Sequence, residues 1–241
     1  MDDSLMVAAT GMNAYERVVE IAAQNAVQAQ SPGYLRTRAS VQGFGSYMSE
    51  ASGREQLLGV REDIDFEAGE YIGDDSPFAV AIEGQGFFEV EGPDGNAYYT
   101  RNGQLLVDSN GRLSTLAGYP IHGTTDQPIP IDITRGPISI DKNGAIVQGG
   151  GEIGRLKLVD FPEDARPKLQ RASETLFTAP PDVPITPAKD ARVRQKALEI
   201  PRYTGAQSMV SMIIAQRAHE AMKKAIGAIA DAQERMIRAG Q

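Results

Sequence analysis

The amino-acid sequence predicts a mainly β protein in which an antiparallel β domain is inserted between two terminal α-helices. Heptad stripes of apolar and small residues at both chain ends predict the helices. Short β-like runs separated by Asn-Gly and Asp-Gly predict the β domain. We expect residues 1–33 and 204–241 to pair as a coiled coil and form one discontinuous domain, and residues 34–203 to form the other.

The N-terminal segment has the pattern of an amphipathic helix. Its apolar and small residues recur at alternating steps of three and four, which keeps them on one helix face. The stripe consists of Leu5, Ala8, Met12, Tyr15, Val19, Ala22, Ala26 and Ala29. Ser31-Pro32-Gly33 is expected to end the helix, because proline disfavours α geometry in the residue before it.

The C-terminal segment repeats this pattern over residues 205–239. Its first stripe consists of Met212, Ala215, His219, Met222, Ile226, Ile229, Gln233 and Met236. A neighbouring stripe of small residues would let another backbone approach closely; it consists of Ile214, Ala218, Ala221, Ala225, Ala228 and Ala232. Thr204 and Gln207 have the spacing of a capping box, and Gly240 is a candidate helix stop.

The two helices carry opposite net charge, −3 over residues 1–35 and +2 over residues 204–241. Opposite charge favours their pairing, although screening keeps that contribution small. Alanine buries little apolar area, so the seam is weak and indicates stabilisation by neighbouring subunits. The alternative interpretation is two ordinary amphipathic helices within one globular core.

The middle of the chain has the sequence pattern of β structure. Expected strands lie at residues 79–82, 87–90, 98–100, 105–107, 112–116, 155–159 and 193–198. Asn-Gly and Asp-Gly between such runs predict hairpins in which both turn residues have positive φ. One motif occurs twice, at Val107–Leu113 and Ile140–Ile146, and predicts two similar hairpins. The proline-rich residues 179–187 are expected to be an extended connector rather than a strand.

Composition excludes several classes of function. The 241 residues contain no cysteine and two histidines, which argues against thiol chemistry and against a histidine-built metal site. The net charge of −8 argues against nucleic acid as the main partner. No apolar run is long enough to span a membrane, and the acidic N-terminus is unlike a signal peptide. We expect no metal, no cofactor and no enzymatic activity.

Three patterns imitate catalytic or ligand-binding motifs. Residues 149–154 fit G-x-G-x-x-G, but a strand-like run follows where a helix is required, which favours a glycine-rich turn. Asp-x-Asn-Gly occurs twice without the spacing of a calcium loop. The loop acids Asp63, Asp65, Asp74 and Asp75 are interpreted as solvated surface rather than an acid/base pair. His122 is read as incidental.

Three ordered blocks carry a resemblance to a known family. The first block comprises Ala8–Met12, Ala23-Gln24-Asn25 and Ser31-Pro32-Gly33-Tyr34. The second block comprises Gly84-Gln85-Gly86-Phe87-Phe88, Tyr99-Thr100-Arg101-Asn102-Gly103 and Asp108–Leu113. The third block is Met209–Glu220. Together they resemble the axial proteins of the bacterial flagellar rod and hook. Length and the segment before Gly84 are closest to the proximal rod type, with the distal rod and hook types as alternatives.

The resemblance implies a structural subunit of the basal-body rod that crosses the periplasm. Its implied partners are other rod subunits, further copies of itself and the flagellar type III export apparatus. Three segments depart from the family pattern, at Ala26-Val27-Gln28, Pro201-Arg202-Tyr203 and His219. An extracellular β module that binds or cleaves wall polysaccharide is the alternative of another class, although the chain has no tryptophan.

Two sets of site residues follow from the stripes and the motifs. The expected assembly residues are Leu5, Ala8, Met12, Tyr15, Val19, Ala22, Asn25, Met209, Met212, Ile213, Gln216, Arg217, His219, Met222, Ile226 and Ile229. The expected turn and family-motif residues are Gly33, Tyr34, Gly84, Gly86, Phe87, Phe88, Thr100, Arg101, Gly103, Asp108 and Gly111.

Overall fold

A computed structural model describes the backbone of residues 2–43 and 58–239. The chain divides into two compact units. Unit 1 comprises Met1–Gln28, Arg36–Asp65 and Tyr203–Gln241, and unit 2 comprises Ala29–Leu35 and Phe66–Arg202. The predicted mainly β fold with one helix at each end of the chain is confirmed for the described residues, and all strand pairs there are antiparallel.

The described chain begins and ends with a helix, and a series of short strands lies between the two helices in the sequence. The helices are α1 (Asp2–Val27) and α2 (Gly205–Ala239). The strands are β1 (Thr37–Gly43), β2 (Leu58–Ile64), β3 (Glu70–Gly73), β4 (Val80–Glu83), β5 (Phe87–Glu91), β6 (Ala97–Thr100), β7 (Leu105–Val107), β8 (Leu113–Thr115), β9 (Ile138–Ile140), β10 (Ala145–Gln148), β11 (Gly151–Arg155), β12 (Leu158–Asp160), β13 (Gln170–Arg171), β14 (Leu176–Thr178), β15 (Thr186–Pro187), β16 (Arg192–Gln195) and β17 (Ala197–Ile200).

Unit 1 consists of the two helices and the β1–β2 pair. Helices α1 and α2 lie against each other. A side chain added at Gly11 would place its Cβ 3.5 Å from Met222 Sδ, whereas the Tyr203 hydroxyl donates to the Asn25 carbonyl at 3.0 Å. Because the two contacts run in opposite sequence directions, the helices are antiparallel.

The most buried row of α1 is displaced by one position from the predicted stripe. Gly11, Ala14, Ile21 and Asn25 are buried, whereas the predicted stripe is half-buried at Met12, Tyr15 and Val19 and buried at Ala22. Leu5 and Ala8 belong to α1 but lie outside the residues whose side chains the structure describes. The face that α1 buries within its own unit therefore includes the row beside the predicted stripe as well as part of the stripe itself.

The ends of the helices follow local chemistry. Gln207 Oε1 accepts from the Thr204 amide at 3.0 Å and Thr204 Oγ1 accepts from the Gln207 amide at 3.3 Å, which confirms the capping box. Helix α1 ends at Val27, earlier than predicted, because the chain enters unit 2 at Ala29 and continues in turns. The candidate stop Gly240 lies outside the described residues.

Unit 2 is built from several small antiparallel sheets around one hydrophobic core. Its largest sheet has six strands in the order β13-β14-β6-β5-β12-β15. Strands β9–β11 form a three-stranded sheet, and β16 pairs with β4, β17 with β3 and β7 with β8. Side chains from most of these sheets meet in the core, whose fully buried members include Val80, Phe88, Leu113, Ile121 and Ile146.

The repeated motif forms the two predicted hairpins, β7–β8 and β9–β10. Asp108 Oδ1 accepts from the amides of Asn110 and Arg112, both at 2.8 Å, and Asp141 Oδ1 accepts from the two corresponding amides at the same distances. The expected positive φ at both turn residues was wrong. Gly111 and Gly144 have it, but the preceding asparagines do not, because the aspartate bonds favour a longer turn that needs only one left-handed residue.

Two predicted strands are each divided in the structure. Residues 193–198 contain the end of β16 and the start of β17, because Lys196 between them has a φ of 58° and directs the chain from one sheet to another. Residues 155–159 likewise contain the last residue of β11 and the start of β12. An uninterrupted strand-like run in the sequence does not reveal a change of sheet, because no turn residue separates its two halves.

The proline-rich segment 179–187 is mostly exposed, as an extended connector should be. It was wrong to exclude a strand there, because Thr186–Pro187 forms β15 at the edge of the six-stranded sheet. A proline is tolerated at that position since an edge strand leaves its outer backbone groups unpaired. The glycine-rich residues 149–154 form the turn between β10 and β11 and part of β11, as predicted.

Candidate assembly surfaces

Helix α2 presents two different faces. Six residues of its first stripe are half-buried or buried, and Ala215 is the most deeply covered at 2% exposed. The half-buried residues of this stripe are Met212, His219, Met222, Ile226 and Ile229. The neighbouring small-residue stripe is exposed apart from Ala218, which is half-buried. One helix face is therefore used inside unit 1, and another remains uncovered in the single chain.

The uncovered face begins with large apolar side chains. Met209, Val210, Ile213 and Ile214 are 55%, 56%, 47% and 63% exposed. Gln216 and Arg217 are exposed beside them. Clustered exposed apolar side chains mark interaction surfaces, whereas isolated ones are common. We call these four residues the α2 apolar patch.

Helix α1 contributes fewer uncovered apolar groups. Met12, Tyr15 and Val19 are half-buried and Ala22 is buried. Its exposed positions are mostly polar, and they include Glu16 and Glu20. Among the described side chains of α1, exposed Glu16 and Glu20 outnumber exposed Arg17, which pairs with Glu20 at 2.7 Å. The exposed surface of α2 carries Arg217, Lys223 and Lys224.

Asn25 is used inside unit 1. Its Nδ2 donates to the Thr37 carbonyl at 2.8 Å, and its Oδ1 accepts from the Thr37 amide at 3.1 Å. These two bonds satisfy both backbone polar groups of Thr37 at the start of β1. The Tyr203 hydroxyl adds a third bond to the Asn25 carbonyl, so this residue joins α1, β1 and the start of α2.

The family motif residues gather around a buried arginine in unit 2. Arg101 is 2% exposed and contacts Glu199, which is 3% exposed, with Nη2 to Oε2 at 2.8 Å. The remaining donors reach the carbonyls of Gly86 at 2.9 Å and Gly84 at 3.1 Å. The planar guanidinium fits this role, because its donors point in fixed directions and satisfy several acceptors together.

The motif glycines make room for close backbone contacts. Gly33 has a φ of 68°, and a Cβ there would lie 2.1 Å from the Asn102 amide nitrogen. A Cβ at Gly103 would lie 1.6 Å from the Val80 carbonyl oxygen, although its φ is ordinary. Packing therefore requires glycine at both positions, and at Gly33 the left-handed backbone conformation requires it as well.

The aromatic and hydroxyl residues of the motif fill the same region. Phe88 is fully buried in the core, and the Phe87 ring meets Phe161 and Phe177 edge-on at centroid distances of 5.6 and 6.1 Å. Thr100 is also fully buried, and its Oγ1 accepts from the Asn102 amide at 3.0 Å. These groups stabilise the sheet and offer nothing to a ligand.

Tyr34 of the N-terminal block is held by Arg171. The guanidinium of Arg171 lies 4.8 Å from the Tyr34 ring centroid and 5.0 Å from that of Phe177, and it also donates to the Leu35 carbonyl. Burial raises the pKa of the Tyr34 hydroxyl, partly offset by the positive charge of Arg171. The Ser-Pro-Gly-Tyr block is thus fixed onto unit 2.

The loop acids do not form a catalytic pair. Asp65 was expected on the solvated surface, but its side chain is only 9% exposed and contacts Arg36 and Arg38, both at 2.7 Å. Asp63 contacts Arg61 at 2.9 Å, and Asp74 Oδ1 accepts from the Ser76 amide. These carboxylates are occupied by structural partners.

His122 has a partner that the sequence did not reveal. Its Nδ1 lies 3.0 Å from Oε1 of Glu89, a buried carboxylate that Lys157 also contacts at 2.8 Å. The interpretation of His122 as incidental was therefore wrong. Among the side chains that the structure describes, no group of three His, Asp or Glu residues is arranged to hold a metal ion.

Sequence reasoning also missed Glu199 and Arg171. Both lie outside the recognisable blocks. Glu199 is 98 residues from its partner Arg101, and Arg171 is still farther in sequence from Tyr34. A glutamate within the apolar run Ala197-Leu198-Glu199-Ile200 is the available signal, since a buried carboxylate requires a partner.

Comparison with known proteins agrees with this arrangement. The family model described as the flagellar hook protein FlgE/F/G D1 domain matches residues 81–148, which hold the central motif and both hairpins. The flagellar basal-body rod protein FlgG of Buchnera aphidicola subsp. Schizaphis graminum is 32% identical over 254 residues, covering 94% of this chain and 95% of that protein. The flagellar basal-body rod protein FlgF of Caulobacter vibrioides is 27% identical over 228 residues, covering 93% and 92%.

The two terminal helices carry an uncovered apolar patch and flank an antiparallel β unit in the sequence, which is typical of a protein that assembles with neighbouring chains. The chain belongs to the flagellar basal-body rod protein family, which contains FlgF and FlgG. It is a structural rod subunit, and these relatives do not support the alternative of a polysaccharide-binding module. In the part of the chain that the structure describes, no helix is both long and apolar enough to span a membrane.

Proposed function

We propose that this chain assembles with other axial proteins into the rod of the flagellar basal body and transmits torque through it. The observation that carries the proposal is the FlgG relative that is 32% identical over 94% of the chain. The α2 apolar patch supports it, because a subunit that functions within an assembly must leave apolar surface uncovered until its neighbours bind.

The terminal helices form the assembly module as a coiled coil. The antiparallel contact of α1 and α2 and the half-buried first stripe of α2 support this. One partner helix covers only one side of each stripe, which leaves Met12, Tyr15 and Val19 half-buried. Helices from adjacent subunits complete the seam, and residues 1–33 and 204–241 act as one module beside the β domain.

Charge favours contacts between the α2 of one subunit and the α1 of another. Exposed Glu16 and Glu20 lie on α1, and exposed Arg217, Lys223 and Lys224 lie on α2. Such pairs add little affinity at physiological salt, but they disfavour contacts between two like helices and so select the partner. Partners are therefore further copies of this chain and related rod subunits.

The subunit is of the proximal rod type, FlgF. The FlgF relatives of Caulobacter vibrioides and Mesorhizobium japonicum align over 228 and 226 residues, within the length of this chain, whereas the FlgG alignment of 254 positions exceeds it. The distal rod type, FlgG, is the second candidate, because the identity to that relative is higher at 32%. The role is structural in either case and includes no catalysis.

The chain reaches the rod through the flagellar type III export apparatus and stays in the rod across the periplasm. Export of this kind requires an unfolded chain, and a sequence without cysteine forms no disulfide that would have to be reduced first. The net charge of −8 is consistent with a protein that binds protein neighbours rather than nucleic acid.

Deletion and complementation test the proposal. The bacterium that encodes this chain should lose swimming and complete rods when the gene is deleted, and should regain both when the gene is restored. Electron microscopy of purified basal bodies measures the rods directly. Normal rods in the deletion strain would contradict the proposed function.

A further inference from the structure

The chain passes between unit 1 and unit 2 four times, before Ala29, after Leu35, before Phe66 and after Arg202. These passages belong to three segments of unit 2, namely residues 29–35, 66–69 and 200–202, which we call the connecting segments. These segments are the covalent links between the two units, so a mechanical load that enters through the terminal helices acts on them directly.

All three connecting segments are attached to Glu199. Its backbone carbonyl accepts from the Gly33 amide at 2.8 Å, which fixes the first segment. Its Oε1 accepts from the Gly69 amide at 2.7 Å, which fixes the second. The third segment follows Glu199 directly in the sequence through Ile200.

Arg101 fixes Glu199 in turn. Its Nε donates to Glu199 Oε2 at 2.9 Å, and its Nη atoms donate to the Ile82 carbonyl in β4 and to two carbonyls in the turn before β5. Hydrogen bonds between charged groups are stronger than neutral ones, particularly where water is excluded. Arg101 also precedes Asn102, whose amide nitrogen lies directly against Gly33.

We infer that the Arg101–Glu199 ion pair is a positioning node that fastens all the connecting segments to unit 2, so that load on the terminal helices is transferred to the β unit at this point. The inference rests on the proposed function as a torque-transmitting subunit. It also explains the choice of a buried ion pair at this position. Such a pair contributes little net stability compared with apolar packing, but it holds several chain segments in one fixed arrangement.

The node makes a specific prediction about coupling. Gly33 and Gly69 are far apart in sequence, yet their amides bond to two groups of the same glutamate. A change that displaces one segment should therefore loosen the other. Independent anchoring of each segment would confine the effect to the segment that was changed.

The matched variants are Gly33→Ala and Gly95→Ala in the full-length chain. Both glycines are left-handed, with φ of 68° and 75°, so alanine imposes a similar backbone strain at each. They differ in contacts, because a Cβ at Gly33 would lie 2.4 Å from the Arg101 carbonyl carbon, whereas a Cβ at Gly95 meets nothing within 4 Å. Only Gly33→Ala therefore places its added methyl group against the backbone of Arg101, a member of the ion pair.

Hydrogen exchange of the purified chain provides the readout. In Gly33→Ala we expect the Gly69 and Gly33 segments to exchange about tenfold faster or more, while the core amides of Leu113 and Ile121 keep their protection. In Gly95→Ala all these rates should stay as in the parent. Unchanged exchange at Gly69, or loss of protection throughout unit 2, would overturn the inference.

Swimming separates this inference from the proposed function. Cells that carry Gly33→Ala should build rods in normal number but swim more slowly than Gly95→Ala cells as the viscosity of the medium rises. Normal rods with unimpaired swimming under load would reject the node and leave the rod function intact. Failure of the unmutated gene to restore rods in the deletion strain would instead reject the rod function itself.

Discussion

Arg101 and Glu199 are 98 residues apart in the sequence and form an ion pair of 2.8 Å in which both side chains are almost completely buried. The pair lies where the central family motif meets the last strand before α2. A buried charge without its partner is costly, so the two residues depend on each other. The chain therefore needs both to keep the motif in place.

Removing one member of this pair should destabilise unit 2. We expect Arg101→Ala to lower the free energy of unfolding by about 3–5 kcal/mol, because it leaves the Glu199 carboxylate buried and unpaired. The control is Arg155→Ala, whose partner Glu152 forms an exposed pair, where about 0–1 kcal/mol is expected. Urea unfolding followed by circular dichroism measures both, and equal losses in the two variants would contradict this explanation.

Gly103 should be intolerant of alanine for a purely steric reason. A Cβ at this position would lie 1.6 Å from the Val80 carbonyl oxygen, whereas a Cβ at Gly151 meets nothing within 4 Å, and neither glycine is left-handed. We expect Gly103→Ala to cost about 1–3 kcal/mol or more and Gly151→Ala to cost much less. Thermal unfolding compares them. Similar melting temperatures would show that the close approach at Gly103 is relieved without cost.

The aspartate turn of the β7–β8 hairpin should make stability depend on pH. Backbone amides of Arg112 and Asn110, together with the Arg112 guanidinium, hold the pKa of Asp108 below its ordinary value near 3.8. A lowered folded-state pKa contributes stability above the unfolded-state value, and that stability is lost as the pH falls through the folded-state pKa. Asp108→Asn should therefore flatten the stability profile below about pH 4.

Unfolding of the parent and of Asp108→Asn between pH 2 and pH 6 measures this contribution. Asp75→Asn is a suitable control, because it removes an exposed carboxylate. The same slope in the parent and in Asp108→Asn would rule out the contribution of this turn.

The α2 apolar patch should matter for assembly and not for folding. Ile214 is 63% exposed, so Ile214→Asp should change the stability of the isolated chain by no more than about 0.5 kcal/mol. Loss of its buried contact in the rod should reduce the number of complete rods about tenfold. Ala230→Asp is the control, since it adds the same charge at another exposed position of α2.

Electron microscopy of basal bodies counts the rods, and circular dichroism confirms that both variants remain folded. Complete rods in normal number with Ile214→Asp would show that the patch is not an assembly contact. A defect of equal size in Ala230→Asp would show that added charge alone is responsible.

Local patterns were sufficient to predict the parts of the fold that local chemistry decides. The capping box at Thr204 and the hairpin turns at Asp108 and Asp141 each depend on residues close in sequence. The heptad spacing likewise predicted the two helices. Their actual seam is displaced by one residue in α1, because the partner helix covers only part of the apolar stripe.

Contacts between distant segments could not be read from the sequence. Glu199 lies in an ordinary β run, and nothing near it indicates Arg101 as its partner. Asp65 resembles a surface loop acid, yet it is covered by Arg36 and Arg38 from the neighbouring strand region. Lys196 divides an uninterrupted strand-like run by its left-handed conformation, which its residue type does not predict.

The most direct test of the central claim is an electron cryomicroscopy map of intact basal bodies from the bacterium that encodes this chain. We expect the rod density to contain both units, with α1 and α2 in contact with helices of neighbouring subunits. Basal bodies with a complete rod in which this chain has no density would contradict the account.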